Sequence, residues 1–151
     1  MDFPDLIDPF DLGIHFFYEA VSFDLIEETS STWLKTVVEA EDKRLRSIRF
    51  IFCKDAYLHQ INVDYLNHDT LTDVITFPYA SDKDIVDGEI FISIERIAEN
   101  AKTFEITFEQ ELNRVMVHGV LHLCGYEDKG KKAKETMTEK ENYYLGRLKS
   151  L

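Results

Sequence analysis

The sequence predicts an α+β fold in which about four strands form a mixed sheet packed with about five helices in mixed α/β layers. Short apolar stretches rich in Val, Ile and Phe alternate with segments whose apolar residues recur every three or four positions. No repeat, low-complexity segment or linker interrupts the 151 residues. We therefore expect a single domain spanning residues 1–151, long enough to bury a core.

The first half of the chain is predicted to contain two strands and two helices. Apolar and alternating patterns indicate strands at 13–17 and 47–53. The helix between them is expected to begin at Ser30 or Ser31 as its cap, and Asp55 can cap the second helix. The expected buried face of the first helix consists of Trp33, Leu34, Val37 and Val38.

The second half is predicted to contain two strands and three helices. The strands are expected at 72–79 and 89–93, and Pro78 should end the first of them or lie at a sheet edge. Helices are expected at 94–104 and at 134–148. Between these two, Thr107 and Gln110 form a capping box that predicts a helix running to about Leu123.

Composition and charge narrow the possible functions. The net charge of −12 argues against broad affinity for nucleic acid, so an RNA partner would need a focused site. Two basic clusters, at 43–49 and 129–134, are either such sites or ordinary solvated segments. No apolar stretch is long enough for a membrane span, and no signal peptide is recognised. The two isolated cysteines favour a reduced, cytoplasmic protein without a membrane partner.

The most specific pattern is a predicted metal site. His118 and His122, four residues apart, lie one above the other on the expected helix, so both imidazoles can bind one ion. Gly125 can end that helix and turn the chain back, which lets a carboxylate close a three-ligand site. Asp128 is the predicted third ligand, and Glu127 is the alternative. One Zn²⁺ per chain is expected, and the donors also suit iron, nickel or manganese.

The spacing of these ligands matches the long motif of zinc proteases, so the predicted helix is zincin-like. That motif also needs a glutamate directly after the first histidine, as the general base. Gly119 occupies that position here. A metallopeptidase is therefore a weaker hypothesis than another metal-dependent hydrolase.

Three stretches resemble the YbeY family, the metal-dependent endoribonucleases of ribosomal RNA maturation. The segment from His118 to Tyr126 resembles the family's His-Gly-x-Leu-His signature. A second resemblance covers a conserved strand of the family, at 72–78, and the segment that leads into it, with Asn62 and Tyr65 in an Asn-x-x-Tyr pattern. The third is between 88–92 and the Gly-Asp-Ile strand that follows in the family. The match runs from Ile48 to Leu148 in the family's order and spacing.

The resemblance implies a zinc-dependent endoribonuclease that acts on single-stranded RNA in ribosomal RNA processing and ribosome biogenesis. Ribosomal RNA and the small ribosomal subunit are the implied partners, and the oligomeric state stays open. Two positions depart from the family. Most members have a histidine as third ligand where Asp128 is expected, and an arginine associated with cleavage where this chain has Leu66. A non-catalytic, ribosome-associated metal-binding factor is therefore the alternative.

Other residues are candidates for contact with the substrate. Arg114 lies one helical turn before His118, where it could hold a phosphate beside the ion as a catalytic residue, or pair with Glu111 or Gln110 instead. The substrate-binding candidates are Thr72, Asp73 and His68. For Thr72 and Asp73, a plain role in a turn or at a strand edge is the competing interpretation.

Overall fold

The structure, a computed structural model, describes residues 12–66 and 72–150. Within these ranges, the chain forms four strands and five helices, as the sequence predicts. In order they are β1 (Gly13–Tyr18), α1 (Glu27–Ala40), β2 (Arg44–Cys53), α2 (Asp55–Leu66), β3 (Val74–Pro78), β4 (Ile85–Ser93), α3 (Ile94–Phe104), α4 (Phe108–Leu123) and α5 (Lys131–Leu148). The predicted mixed α+β class is confirmed.

The four strands form one mixed sheet in the order β1-β2-β4-β3. β2 pairs in parallel with both β1 and β4, whereas β3 pairs antiparallel with β4. β3 is therefore an edge strand, and it ends at Pro78, which has no amide hydrogen to donate to a neighbour. This agrees with the predicted position of that proline.

The two faces of the sheet are covered unequally. Because side chains alternate along a strand, Ile48, Phe50 and Phe52 point to one face and enter the main core with α1, α3, α4 and α5. Cys53 points to the other face, where it packs in a smaller cluster against Leu58 of α2. The helix that carries the two histidines, α4, thus lies on the main core face.

Helix α4 approaches the sheet closely because two glycines leave room for it. A Cβ added at Gly119 would lie 2.8 Å from Cγ2 of Ile90 on β4. A Cβ at Gly88 would lie 2.5 Å from the carbonyl oxygen of Phe77 and 2.7 Å from Cδ2 of Leu123. Neither contact is sterically possible, so α4 can keep this distance from the sheet only with glycine at both positions.

Some predicted helix starts are wrong and others are confirmed. α1 begins one turn before the predicted caps, because the amide of Ser30 already donates to the carbonyl of Ile26 inside the first turn. Asp55 is the first residue of α2, and its carboxylate accepts hydrogen bonds from Ser93 and Arg96 instead of acting as a cap.

The capping box of α4 and the end of that helix are confirmed. The Gln110 amide donates to Thr107 Oγ1 at 3.1 Å, and the Thr107 amide donates to Gln110 Oε1 at 2.9 Å. The end at Leu123 and the bounds of α3 also agree with the prediction. α5 begins earlier than predicted, at Lys131. β2 and β4 also begin earlier, at Arg44 and Ile85, and β3 begins later, at Val74.

Both cysteines, Cys53 and Cys124, are free thiols buried in the described structure. Burial raises the pKa of each thiol to about 12, so both stay protonated at neutral pH. None of the described helices combines the length and the apolar character that crossing a membrane requires.

Candidate metal centre and active site

Three side chains converge at the carboxyl end of α4. The Nε2 atoms of His118 and His122 lie 3.0 Å apart. Oδ2 of Asp128 lies 3.4 Å from each of these nitrogens. The structure therefore brings together the three residues that the sequence predicts as metal ligands.

The turn after α4 carries the third side chain back to the helix. Gly125 has a φ of +110°, a conformation that a residue with a side chain rarely adopts. The amide of Tyr126 then donates to the carbonyl of Leu121, so the chain reverses and Asp128 reaches the histidines. Glu127, the alternative ligand, is exposed and lies outside the cluster.

Both imidazole rings are held from behind by acceptors. Nδ1 of His118 lies 2.7 Å from Oε2 of Glu141, and Nδ1 of His122 lies 2.9 Å from the backbone oxygen of Tyr126. A carboxylate and a carbonyl can only accept, so each Nδ1 carries the proton and donates it. In the neutral form of each ring, the lone pair is then on Nε2.

Two nitrogen lone pairs and a carboxylate oxygen thus face one another, an arrangement that requires a cation among them. Burial lowers the pKa of His118, but the carboxylates of Glu141, Asp128 and Asp73 outweigh it and raise that pKa. The site therefore attracts either a proton or a metal ion.

The spacing of the donor atoms fits a tetrahedral zinc site. Zinc–nitrogen bonds of about 2.0–2.1 Å in a tetrahedron place neighbouring donors about 3.3 Å apart. The observed separations are 3.0, 3.4 and 3.4 Å. Three protein donors also leave the fourth position of a tetrahedron open, as in catalytic zinc sites.

A cavity of about 340 Å³ lies in front of the three ligands, between α4, α5 and the start of edge strand β3. The cavity is lined by Thr72, Asp73, Val74, Thr76, Glu111, Arg114, Val115, His118, His122, Asp128 and Glu141. Two of its carboxyl groups have raised pKa values. Burial raises the pKa of Asp73, and burial together with the neighbouring Asp73 raises the pKa of Glu111. Both groups are therefore shifted towards the neutral, proton-donating form.

The structure places the other predicted site residues as follows. Thr72 and Asp73 line the cavity beside β3, a position from which they could contact a substrate, as their role as substrate-binding candidates requires. Arg114 also lines the cavity, but its guanidinium donates to Oε1 of Glu141 at 2.9 Å and to Asn142 at 2.8 Å. The hydrogen-bond partners of Arg114 are therefore on α5, and not Glu111 or Gln110, which the sequence offered as the alternative to a phosphate. His68 lies outside the described residues.

Glu141 joins the centre from α5 and is not among the residues predicted from the sequence. A signal for it was present: Glu141 falls between Met137 and Tyr144, at the spacing of the buried face of α5. A carboxylate at such a position is buried only when it has partners. His118 and Arg114 are those partners.

Comparison with known proteins assigns the family. The family model described as endoribonuclease YbeY matches residues 17–149. The chain belongs to the endoribonuclease YbeY family. The predicted family and the predicted class of enzyme are both confirmed by this membership.

Individual relatives cover most of the chain. Endoribonuclease YbeY of Flavobacterium johnsoniae is 51% identical over 85% of this chain and 92% of its own length. Endoribonuclease YbeY of Amoebophilus asiaticus is 49% identical over 88% of this chain and 91% of its own length. The solution structure of TM1509 from Thermotoga maritima matches with a TM-score of 0.65 and 33% identity, over 89% of this chain and 88% of that one.

Proposed function

We propose that this chain is a zinc-dependent endoribonuclease that cleaves single-stranded RNA during ribosomal RNA maturation, with residues 1–151 acting as one catalytic domain. The observation that carries the proposal is the convergence of His118, His122 and Asp128 on one point. The Nδ1 atom of each histidine is occupied by a hydrogen bond within the protein, which leaves each Nε2 for a metal. Membership in the YbeY family supports RNA as the substrate. The proposal includes the small ribosomal subunit as the partner and the cytoplasm as the location. The buried free thiols agree with a reducing compartment.

The residues of the centre have different proposed roles. His118, His122 and Asp128 would hold the zinc, while Glu141 and the Tyr126 carbonyl keep the two rings in place. When bound there, zinc would supply Lewis acidity, which would lower the pKa of a bound water and offset negative charge on the scissile phosphate. Arg114 keeps a positive charge at the cavity wall, where it can approach a phosphate oxygen. Thr72 and Asp73 form the opposite wall, where hydrogen bonds to the sugar or phosphate are within reach.

Peptide hydrolysis is disfavoured by the packing of α4. A zinc protease of this type needs a glutamate at the position of Gly119. Any side chain there would meet Ile90, since even its Cβ would lie 2.8 Å from Cγ2. The general base of such a peptidase therefore has no room at this position.

A non-catalytic metal-binding factor is the second candidate, and Leu66 is the observation that favours it. This leucine ends α2 and is 39% exposed, where the family resemblance implies an arginine that takes part in RNA cleavage. Such a factor would bind zinc and ribosomal RNA without cleaving it. The two candidates therefore differ in turnover alone.

An RNA cleavage assay tests the proposal. The purified protein, with its bound metal measured, is incubated with unstructured RNA, and the products are resolved on a gel. We expect cleavage that a chelator abolishes and that His122→Ala loses. Equal cleavage by His122→Ala would assign the activity to a contaminant. Zinc binding and RNA binding without cleavage would support the non-catalytic candidate, and chelator-sensitive hydrolysis of casein would support a peptidase.

A matched pair of variants tests the third ligand in the same assay. Removing one of three ligands should weaken zinc binding and cleavage by at least about 10–100-fold, the loss seen even for groups behind the ligands. We therefore expect this loss for Asp128→Ala, but not for Glu127→Ala, because Glu127 is exposed and outside the cluster. The opposite result would make Glu127 the ligand.

A further inference from the structure

Positive charge is concentrated directly after the third metal ligand. Four lysines, Lys129, Lys131, Lys132 and Lys134, fall within six residues of a chain whose net charge is −12. All four are exposed. Across residues 12–66 and 72–150, no acidic group forms an ion pair with any of them. Their charge is therefore available to a ligand from solution.

Three of the four lysines border a cavity that also contains an aromatic ring. This cavity, of about 640 Å³, is lined by Lys129, Lys131, Lys132 and Tyr126, with Glu127 as its one acidic residue among the described ones, and it opens beside the turn that carries Asp128. The hydroxyl of Tyr126 donates to Glu41 at 2.6 Å, so the ring is held in one position. A fixed aromatic ring next to exposed cations is typical of sites that bind single-stranded nucleic acid.

The other basic cluster of the chain offers less free charge. Lys43 pairs with Asp84 at 3.9 Å, and Arg46 and Arg49 share Asp87 at 3.6 and 3.5 Å. Arg44 is exposed and has no ion-pair partner among the described residues. Three of the four cations in this cluster therefore already have an acidic partner. Of the two clusters, the one after Asp128 is therefore better suited to an external polyanion.

We propose that the lysine surface, formed by Lys129, Lys131, Lys132 and Lys134 with Tyr126, binds the backbone phosphates of single-stranded RNA next to the cleaved bond. The inference rests on the proposed function, because it extends the RNA from the metal centre along this surface. Lys129 directly follows Asp128, so the lysine surface begins one residue along the chain from the metal centre. The acidic remainder of the molecule repels RNA and confines it to this path.

Binding measurements with matched variants test this surface. The test variant is Lys131→Gln/Lys132→Gln, which leaves the metal ligands and Lys129 intact. The control is Lys35→Gln/Lys102→Gln, two exposed lysines on α1 and α3 whose removal changes the net charge equally. Affinity of the zinc-loaded proteins for a labelled unstructured RNA of about 20 nucleotides is measured by fluorescence anisotropy at several salt concentrations, and a gel checks that the RNA stays intact during each measurement.

The expected loss follows from counterion release. If each lysine neutralises one phosphate, removing two lowers the slope of log affinity against log salt by about 1.4, and affinity falls about 25-fold at about 0.1 M salt. The control should lose less than about threefold, because distant exposed charges are screened at this salt. Zinc affinity and thermal stability of the test variant should match those of the native protein.

Three outcomes would overturn the inference. Native affinity in the test variant, or an equal loss in the control, would show that the lysine surface does not contact the backbone. Absence of RNA binding by the native protein would overturn the endoribonuclease proposal together with this inference. The two failures are therefore distinguished by the behaviour of the native protein.

Discussion

Glu141 links two functional groups through one carboxylate. Its Oε2 lies 2.7 Å from Nδ1 of His118, and its Oε1 accepts from Arg114 at 2.9 Å. A carboxylate behind a ligand histidine fixes the ring and makes its other nitrogen a stronger donor to a metal. The same carboxylate holds the guanidinium at the cavity wall. Metal binding and the position of the nearby cation thus depend on a single side chain.

Glu141→Gln should therefore weaken zinc binding by about 10–100-fold without removing a ligand. The amide keeps an acceptor for His118 but loses the negative charge that raises the basicity of the ring. Zinc affinity is measured by competition with a chromophoric chelator. Glu139→Gln, the same change at an exposed position on α5, is the control and should keep native affinity. An equal loss of zinc affinity in the control would show that the change in net charge, and not the contact with His118, causes the loss.

The convergence of the three proposed ligands was predictable from the sequence. The burial of Glu141 was signalled by its position on α5, but its contact with His118 was not, for a physical reason. His118 and His122 are four positions apart on one helix, so local geometry alone places them together. Asp128 follows through a turn that a single glycine signals. Glu141 is 23 positions from His118 and reaches it only because α5 packs on α4. Such a contact depends on tertiary packing, which spacing within the chain does not encode.

At the scale of elements, the site depends on how closely α4 lies on the sheet. Gly119 falls between the two ligand histidines, and it faces Ile90 of β4. A side chain at 119 would push the helix away from β4 and shift both ligands relative to β3, which forms the other wall of the cavity. Gly119 therefore allows the close packing of α4 on β4 and, through it, keeps the two histidines in position.

Gly119→Ala should destabilise the protein by about 1–3 kcal/mol, as expected when a methyl group is forced into a packed core. The free energy of unfolding is measured by urea denaturation of the metal-free protein. Gly146→Ala on α5 is the control, because nothing lies within 4 Å of its added Cβ. There the alanine should stabilise the helix by up to about 1 kcal/mol. Equal effects of the two substitutions would contradict the close packing at Gly119.

Element boundaries were predictable where a side chain signals them. The start of α4 follows from Thr107 and Gln110, whose reciprocal hydrogen bonds are local. The start of α1 was misplaced because Ile26, the residue before the first turn, makes no side-chain cap. There the glutamates of the first turn, Glu27 and Glu28, favour the helix through their charge near its amino end. Serines inside that first turn resemble caps in the sequence alone.

Across the whole molecule, Glu41 connects three distant parts of the chain. It follows the last residue of α1, and its carboxylate accepts hydrogen bonds from Tyr126 in the metal-binding turn and from Lys140 and Tyr144 of α5. The Tyr126 bond spans 85 residues and the Tyr144 bond spans 103. Segments far apart in sequence are thus held around one half-buried charge.

This arrangement makes stability depend on pH in a defined direction. Burial alone would raise the pKa of Glu41, but the hydrogen bonds from Tyr126, Tyr144 and Lys140 outweigh it and lower the pKa below its ordinary value of 4.5. A carboxyl group with a lowered pKa in the folded state stabilises that state above its ordinary value. The contribution is lost as the pH falls from 4.5 through the lower, folded-state pKa.

Glu41→Gln should consequently lower the free energy of unfolding by about 1–3 kcal/mol at neutral pH, the usual contribution of hydrogen bonds to a charged group. Below the folded-state pKa, the native carboxyl is neutral like the amide, so the difference between the two proteins should shrink. Urea denaturation of the metal-free proteins at about pH 7 and at successively lower pH values follows this difference. Glu39→Gln, an exposed neighbour on α1, controls for net charge and should match the native protein at every pH. A difference that persists unchanged at the lower pH values would show that Glu41 stabilises the fold through its shape and not through its charge.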